Sequence, residues 1–158
     1  MLAVIVVGLA WLVQRLDLFR HAPAPIGPWR AVERVIDGDT ILLDGGERVR
    51  LIGVDTPETV HPSKPVEYFG KEASAFTRSM AEGKRVRLEY DWQRQDRYGR
   101  TLAYVFLEDG RLLNAEIVRQ GYGHAYTRFA FQRMEEFRAL EREARENGRG
   151  LWAEPRAP

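Results

Sequence analysis

The sequence contains no cysteine, and only three of its basic residues are lysines. Without cysteine the chain has no disulfide framework, no cysteine-based zinc site and no thiol nucleophile. Its 24 basic and 23 acidic side chains nearly cancel, which excludes binding of a polyanion by overall charge alone. The other basic residues are arginines, whose planar fork suits phosphate groups. Any site for a charged partner must therefore be local.

The longest uncharged run lies at the amino terminus, at residues 2–13. Its length matches the apolar region of a signal peptide and falls short of the roughly 20 residues of a full membrane span. Because Pro25 follows the small-residue site Ala22-Pro23-Ala24, we interpret residues 1–20 as an uncleaved membrane anchor. A cleaved signal segment and an apolar helix packed on the domain remain the alternatives. Residues 21–28 carry three prolines and predict a stiff linker to a folded domain at 29–154.

Short apolar runs bounded by turn residues predict a mainly β domain with added helices, an α+β fold. The strands are expected at residues 31–36, 40–43, 48–54, 85–90 and 101–106. Five short strands with small turns favour a five-stranded barrel of the oligonucleotide-binding (OB-fold) type. Three helices are expected at residues 71–81, at residues 113–120, and along the apolar stripe Phe131, Met134, Phe137, Leu140 and Ala144.

Two acidic segments follow predicted strands. Asp37-Gly38-Asp39 is ordinary turn chemistry when taken alone. Farther on, Asp55 ends an apolar strand and Glu58 follows a proline, so a carboxylate, a backbone carbonyl and a second carboxylate emerge at a rigid strand end. Hard divalent cations prefer such oxygen ligands. The alternative for this second segment is a polar strand terminus in which Asp55 caps a turn.

A basic loop precedes the last predicted strand. Residues 94–100 contain three arginines, Tyr98 and Gly99. Arginine can bind a phosphodiester with two hydrogen bonds, and tyrosine can stack on a base. The alternative is a solvated loop with no ligand.

Taken together and in this order, these segments resemble the thermonuclease, or staphylococcal nuclease-like, family. The resemblance covers nearly the whole of residues 30–153. The matching stretches include Ile36-Asp37-Gly38-Asp39-Thr40, Arg50-Leu51, Val54-Asp55-Thr56-Pro57-Glu58-Thr59, Asp96 with Tyr98-Gly99-Arg100, Val118-Arg119-Gln120-Gly121 and Gly150-Leu151-Trp152.

The resemblance implies a calcium-dependent nuclease that hydrolyses phosphodiester bonds of DNA and RNA with little sequence specificity. By position, Asp39 and Asp55 would bind Ca²⁺ through their carboxylates, and Thr56 through its backbone carbonyl. Asp37 would lie close by and order water around the ion, next to the substrate.

The resemblance also implies roles in substrate binding and catalysis. Glu58 matches the family's general base, and Arg50 and Arg100 match its two phosphate-binding arginines. Tyr98 and Tyr126 would line the nucleotide pocket.

One alternative from another class stays open, a non-catalytic OB-type module that binds nucleic acid or peptide. The complete acidic and arginine set favours the enzyme. The expected partners are DNA and RNA substrates, preferably single-stranded, and a membrane through the amino-terminal segment, with the chain a monomer. The expected location is outside the cytoplasm, anchored to the membrane or secreted.

Overall fold

The structure is a computed structural model that describes residues 27–59 and 65–153 of the 158-residue chain. The segment 1–20, predicted to be an apolar helix that serves as an anchor or signal, lies outside the described residues, as do most of the linker and residues 60–64. Among the described helices, none has the length and apolar character needed to cross a membrane.

Five β-strands close into one barrel, which confirms the predicted architecture. The strands are β1 (Arg30–Asp37), β2 (Thr40–Leu43), β3 (Glu47–Leu51), β4 (Val54–Asp55), β5 (Arg85–Glu89), β6 (Thr101–Leu107) and β7 (His124–Ala125). Around the barrel the order is β1-β2-β3-β6-β5, and in it only the β3–β6 pair runs parallel, with Val49 opposite Thr101. The two short strands β4 and β7 form a separate sheet.

Alternation of apolar and polar residues explains why the barrel forms. Successive side chains of a strand point to opposite faces, so every second residue enters the barrel. Burial of a Val or Leu side chain stabilises a fold by roughly 1.5–3 kcal/mol. The buried strand residues include Val32, Val35, Ile41, Leu43, Val49, Leu51, Val86 and Leu88.

The predicted strand over residues 48–54 is wrong in one respect, because the structure interrupts it. The strand β3 ends at Leu51, and Gly53 takes a φ of 73°, which residues with a side chain rarely adopt. A Cβ on Gly53 would also lie 2.7 Å from the ring of Phe131. Beyond this turn β4 pairs with β7, and Asp55 stands opposite His124. The turn thus moves Asp55 from the barrel into the small sheet.

The described residues contain three α-helices, close to the predicted positions. They are α1 (Gly70–Ala81), α2 (Leu113–Arg119) and α3 (Met134–Glu146), and a 3₁₀ turn follows at Gly150–Trp152. Helix α3 buries Phe137, Leu140 and Ala144, as its apolar stripe predicts. Phe131 precedes α3 and packs edge-on against Phe137, with ring centroids 5.5 Å apart.

Helix α2 is joined to the barrel by a buried side chain. Asn114 accepts a hydrogen bond from the Val105 backbone nitrogen at 2.9 Å and donates to the carbonyl oxygens of Ile52 and Ala103 at 3.0 and 3.1 Å. A buried amide with all these partners stabilises the fold, whereas an unpaired one would destabilise it. Asn114 therefore fixes the turn that leads from β3 into β4.

Two glycines allow the end of the domain to pack on the end of α2. A Cβ on Gly121 would lie 2.2 Å from the Arg149 carbonyl oxygen, and one on Gly150 would lie 2.3 Å from the Gly121 carbonyl oxygen. Both have positive φ angles, of 76° and 54°. The Leu151 backbone nitrogen donates to Gly121 at 2.8 Å. Only glycine permits this close contact of two backbone segments.

Candidate active site

Acidic and arginine side chains from the first four strands line one cleft of about 490 Å³. The end of β1 supplies Asp37, the turn that follows it supplies Asp39, β3 supplies Arg50, and β4 supplies Asp55. The cleft also contains Thr56, Glu58 and Arg100. The structure therefore brings together all of the predicted metal-binding, acid–base and phosphate-binding residues.

Asp39 is held by partners from three parts of the fold. One oxygen, Oδ1, accepts a hydrogen bond from the Thr40 hydroxyl at 2.9 Å. The other, Oδ2, accepts from the Thr56 backbone nitrogen at 3.1 Å and lies 3.2 Å from Nη2 of Arg50. Because these partners come from β2, β3 and the segment after β4, the orientation of Asp39 is fixed by the barrel itself.

Arg50 connects the carboxylate of the β1–β2 turn with that of β4. Its Nη2 lies 3.2 Å from Asp39 and 3.4 Å from Asp55. Its Nη1 donates to the carbonyl oxygens of Val54 and Leu51 at 2.6 and 3.2 Å. The guanidinium group is therefore held rigidly where both carboxylates meet, with its side chain largely buried.

Burial makes this cleft unfavourable for uncompensated negative charge. Partial burial raises the pKa of Asp55, and the charge of Asp39 raises it further, while Arg50 opposes the shift. Burial also raises the pKa of Asp37, as does its hydrogen bond with Glu58, against the hydrogen bonds that Asp37 accepts from Thr59. A cation placed among these groups would favour their ionised forms.

Glu58 lies in a segment whose main chain is held by hydrogen bonds to Glu67 and by close packing against Gly70. Its backbone nitrogen donates to Oε2 of Glu67 at 3.0 Å, and its carbonyl oxygen accepts from the Glu67 nitrogen at 3.0 Å. The first residue of α1, Gly70, approaches closely, since a Cβ there would lie 3.1 Å from the Pro57 carbonyl oxygen and 3.2 Å from that of Glu58. The main chain at Glu58 is therefore well placed to aim the side chain.

The donor set fits a hard cation that keeps part of its water shell. Within residues 27–59 and 65–153, no three acidic or histidine side chains form a ready-made metal cage. Asp39 and Asp55 nevertheless converge on a single positively charged atom, Nη2 of Arg50. Two carboxylates and a backbone carbonyl such as that of Thr56 are oxygen ligands of the kind that Ca²⁺ accepts together with water.

A second cleft, of about 700 Å³, adjoins the first and shares Arg50, Asp55 and Arg100 with it. The two predicted pocket tyrosines, Tyr98 and Tyr126, line this second cleft. Tyr98 is 68% exposed. We call the first the acidic cleft and the second the aromatic cleft.

Arg100 is oriented by the basic loop from which it comes. Its Nε donates to Oδ2 of Asp96 at 2.6 Å, and Oδ1 of the same carboxylate accepts from the backbone nitrogens of Tyr98 and Arg100. Partial burial works against ionisation of Asp96, but these hydrogen bonds from Arg100 and Tyr98 dominate and lower its pKa. Asp96 therefore accepts from Nε of Arg100, and the terminal nitrogens Nη1 and Nη2 make no hydrogen bond to it.

Sequence reasoning missed several side chains that the fold brings to these clefts. Glu67 lines the acidic cleft, and Trp92, Arg128 and Phe129 line the aromatic cleft. The predicted basic loop at residues 94–100 stops just short of Trp92, so no signal in the sequence singled out this side chain. The residues near Phe129 join it only through tertiary contacts.

A closed five-stranded barrel, with an acidic and arginine-lined cleft at its rim, defines an OB-fold-type protein equipped to bind an anionic ligand. The chain belongs to the family of staphylococcal nuclease homologues, whose model matches residues 48–154.

Three relatives illustrate this membership. The "Thermonuclease" of Staphylococcus intermedius is 56% identical over 97 residues, 60% of this chain and 57% of that protein's length. The "Thermonuclease" of Staphylococcus hyicus is 44% identical over 126 residues, 77% of this chain and 74% of that protein. "Endonuclease YncB" of Bacillus subtilis is 34% identical over 132 residues, 77% of this chain and 60% of the relative.

Proposed function

We propose that this chain is a Ca²⁺-dependent nuclease that hydrolyses phosphodiester bonds of DNA and RNA, preferably single-stranded, with little sequence specificity. Membership of the family and the names of its relatives indicate a nuclease, a hydrolase that acts on phosphodiester bonds. The observation that carries the finer proposal is that Arg50 and Arg100 line both clefts. A phosphate between them would face the carboxylates on one side and the tyrosines on the other.

The two arginines act on the charge of the phosphate. Hydrolysis of a phosphodiester increases negative charge on its non-bridging oxygens, and prearranged donors stabilise that charge. Arg50 is already fixed by Asp39, Asp55 and two carbonyl oxygens. Arg100 is fixed by Asp96. Both guanidinium groups are therefore already positioned in the cleft before the substrate binds.

Glu58 acts as the general base. Its carboxylate takes a proton from water as the water oxygen bonds to phosphorus and the bond to the leaving oxygen breaks. Arg100 stabilises the charge on that leaving oxygen until solvent protonates it. The support for this role is the position of Glu58 in the acidic cleft and its hydrogen bond with Asp37.

The metal-binding role falls to Asp39, Asp55 and the carbonyl of Thr56, with Asp37 beside them. When bound there, Ca²⁺ supplies positive charge that favours the ionised carboxylates and stabilises charge on the phosphate. Asp39 and Asp55 hold their positions through Arg50 and the barrel.

Cleavage of single-stranded DNA by the full chain, with Ca²⁺ or with a chelator, tests this function. We expect cleavage with Ca²⁺, loss of cleavage with chelator, and recovery when excess Ca²⁺ is added back, because the cation that stabilises charge on the phosphate is missing in its absence. An intact strand in the presence of Ca²⁺ would contradict the proposal. Binding of the strand without any cleavage would favour the non-catalytic OB-type module instead.

We also propose that the chain acts outside the cytoplasm, anchored to a membrane or secreted. The support is the uncharged run at residues 2–13 and the proline that follows the candidate cleavage site. Amino-terminal sequencing of the mature protein is expected to return the uncleaved start. A mature start at Ala24 or Ile26 would contradict the anchor and indicate a signal segment.

A further inference from the structure

Exposed aromatic side chains are concentrated in the aromatic cleft. Six large apolar or aromatic side chains are exposed among the described residues, and three of them line this cleft. Besides Tyr98 these are Trp92, which is 63% exposed, and Phe129, which is 67% exposed. Exposed aromatics gathered in one concave surface indicate a binding site, whereas scattered ones need no explanation.

A buried carboxylate holds the two walls that carry these aromatics. Asp91 accepts hydrogen bonds from the Trp92 backbone nitrogen at 2.8 Å, from the Tyr104 hydroxyl at 2.7 Å and from the Gln132 backbone nitrogen at 2.8 Å. One wall therefore begins at Trp92, and the other is the segment that leads from Tyr126 to Gln132. Both are tied to β6, so the cleft exists before any ligand binds.

The second wall carries its own pair of aromatic rings. The centroids of Tyr126 and Phe129 lie 6.0 Å apart, with the ring planes inclined at 55°. Both rings line the cleft. Their faces and that of Trp92 offer more stacking surface than one nucleotide held at Tyr98 and Tyr126 would use.

The charges around the cleft complement a polyanion. Its acidic side chains already have partners, since Asp91 accepts three hydrogen bonds, Asp96 pairs with Arg100, and Asp55 pairs with Arg50. Arg97 and Arg128 line the same cleft. Arg97 stacks on Tyr98 at 4.7 Å, and in the part of the chain that the structure describes neither Arg97 nor Arg128 makes an ion pair. Their charges are available to phosphates.

We propose that Trp92 and Phe129 form a second base-stacking site, for unpaired nucleotides that flank the nucleotide at Tyr98 and Tyr126, with Arg97 and Arg128 bound to the flanking phosphates. This site deepens the proposed function and rests on it for the position of the scissile phosphate. Unpaired bases have free faces for aromatic side chains, whereas bases in a duplex are already stacked on each other. The cleft therefore selects single strands.

Binding of labelled DNA to the full chain in the presence of chelator tests the site, because the strand stays intact. The probes are a single strand of about twelve nucleotides, within the range that one OB fold covers, a mononucleotide and a duplex. We expect Trp92→Ala and Phe129→Ala each to weaken binding of the long strand by about 5-fold to 100-fold. Binding of the mononucleotide and of the duplex is expected to change little.

Matched variants separate stacking from general damage. Tyr68→Ala removes an aromatic that is 72% exposed but lies outside both clefts, so it is expected to bind like the parent. Trp92→Phe keeps a ring and is expected to retain most of the affinity. Thermal melting should be unchanged in all of these variants, because the substituted side chains are exposed.

Two results would overturn the second stacking site. One is equal affinity of the parent and both alanine variants for the long strand, and the other is the same loss for the mononucleotide as for the long strand. Because binding is measured without cleavage, a chain that fails to hydrolyse DNA can still show the stacking effect. Cleavage with unaltered binding by the variants would reject the stacking site alone.

Discussion

Glu58→Gln is expected to lower kcat for cleavage of single-stranded DNA by about 10²-fold to 10⁴-fold, the usual contribution of a general base. The amide has nearly the shape of the carboxylate but cannot accept the proton of the attacking water. The backbone of residue 58 is held by hydrogen bonds with Glu67, so the substitution should leave the fold unaffected. Initial rates at saturating DNA and Ca²⁺ provide the measurement.

The pH dependence of the residual activity distinguishes lost proton transfer from lost structure. In the parent chain kcat should fall at low pH both because the general base is protonated and because Asp37 and Asp55, whose pKa values are raised, lose their charge; in Glu58→Gln only the second contribution should remain. Glu72→Gln on the exposed face of α1 is the matched control and should cleave like the parent. Equal cleavage by the parent and Glu58→Gln would remove Glu58 from the mechanism.

Arg100→Lys is expected to lower kcat/KM by about 10²-fold to 10³-fold, as loss of one donor to a developing oxyanion does. The reason is the salt bridge to Asp96. Arg100 uses Nε for this carboxylate at 2.6 Å and keeps its terminal nitrogens for the phosphate. A lysine has a single ammonium group, which Asp96 would attract away from the substrate. Retention of charge should therefore restore little activity.

Comparison with a neutral variant and a neighbouring arginine tests this geometry. Arg100→Gln should lose about as much activity as Arg100→Lys. Arg94→Lys should cleave normally, since Arg94 stacks on Tyr90 at 4.2 Å and lines neither cleft. If Arg100→Lys kept most of the parent's kcat/KM, a positive charge at residue 100 would be sufficient for cleavage and the planar guanidinium group would not be needed.

The barrel could be predicted from sequence because its signals are local. Alternation over residues 85–89 and the Asp-Gly turns each depend on near neighbours, and β5 and β2 appear where those patterns lie. The break between β3 and β4 could not be predicted in this way, since Ile52 and Val54 are both apolar and buried like strand residues. What ends β3 is the packing of Gly53 against Phe131, a residue far along the chain.

The residues of the candidate site likewise fall into two groups, those that sequence motifs identify and those that only the fold brings in. Asp39, Asp55 and Arg100 occur in motifs whose order is recognisable, and the structure places them in one cleft. Phe129 stands in an irregular segment, and its place in the aromatic cleft depends on the bond from Gln132 to Asp91 across the fold. Side chains that come together only because the buried carboxylate of Asp91 joins two distant segments leave no recognisable pattern in the sequence.

The contact between Gly121 and Gly150 has a consequence for synthesis on the ribosome. The chain segment after Gly121 leads into β7, which holds the strand that carries Asp55, and the backbone at Gly150 and Leu151 packs on Gly121. A nascent chain that is still inside the exit tunnel at residue 150 lacks this support. The acidic cleft can therefore reach its final form only after nearly the whole domain has emerged from the tunnel.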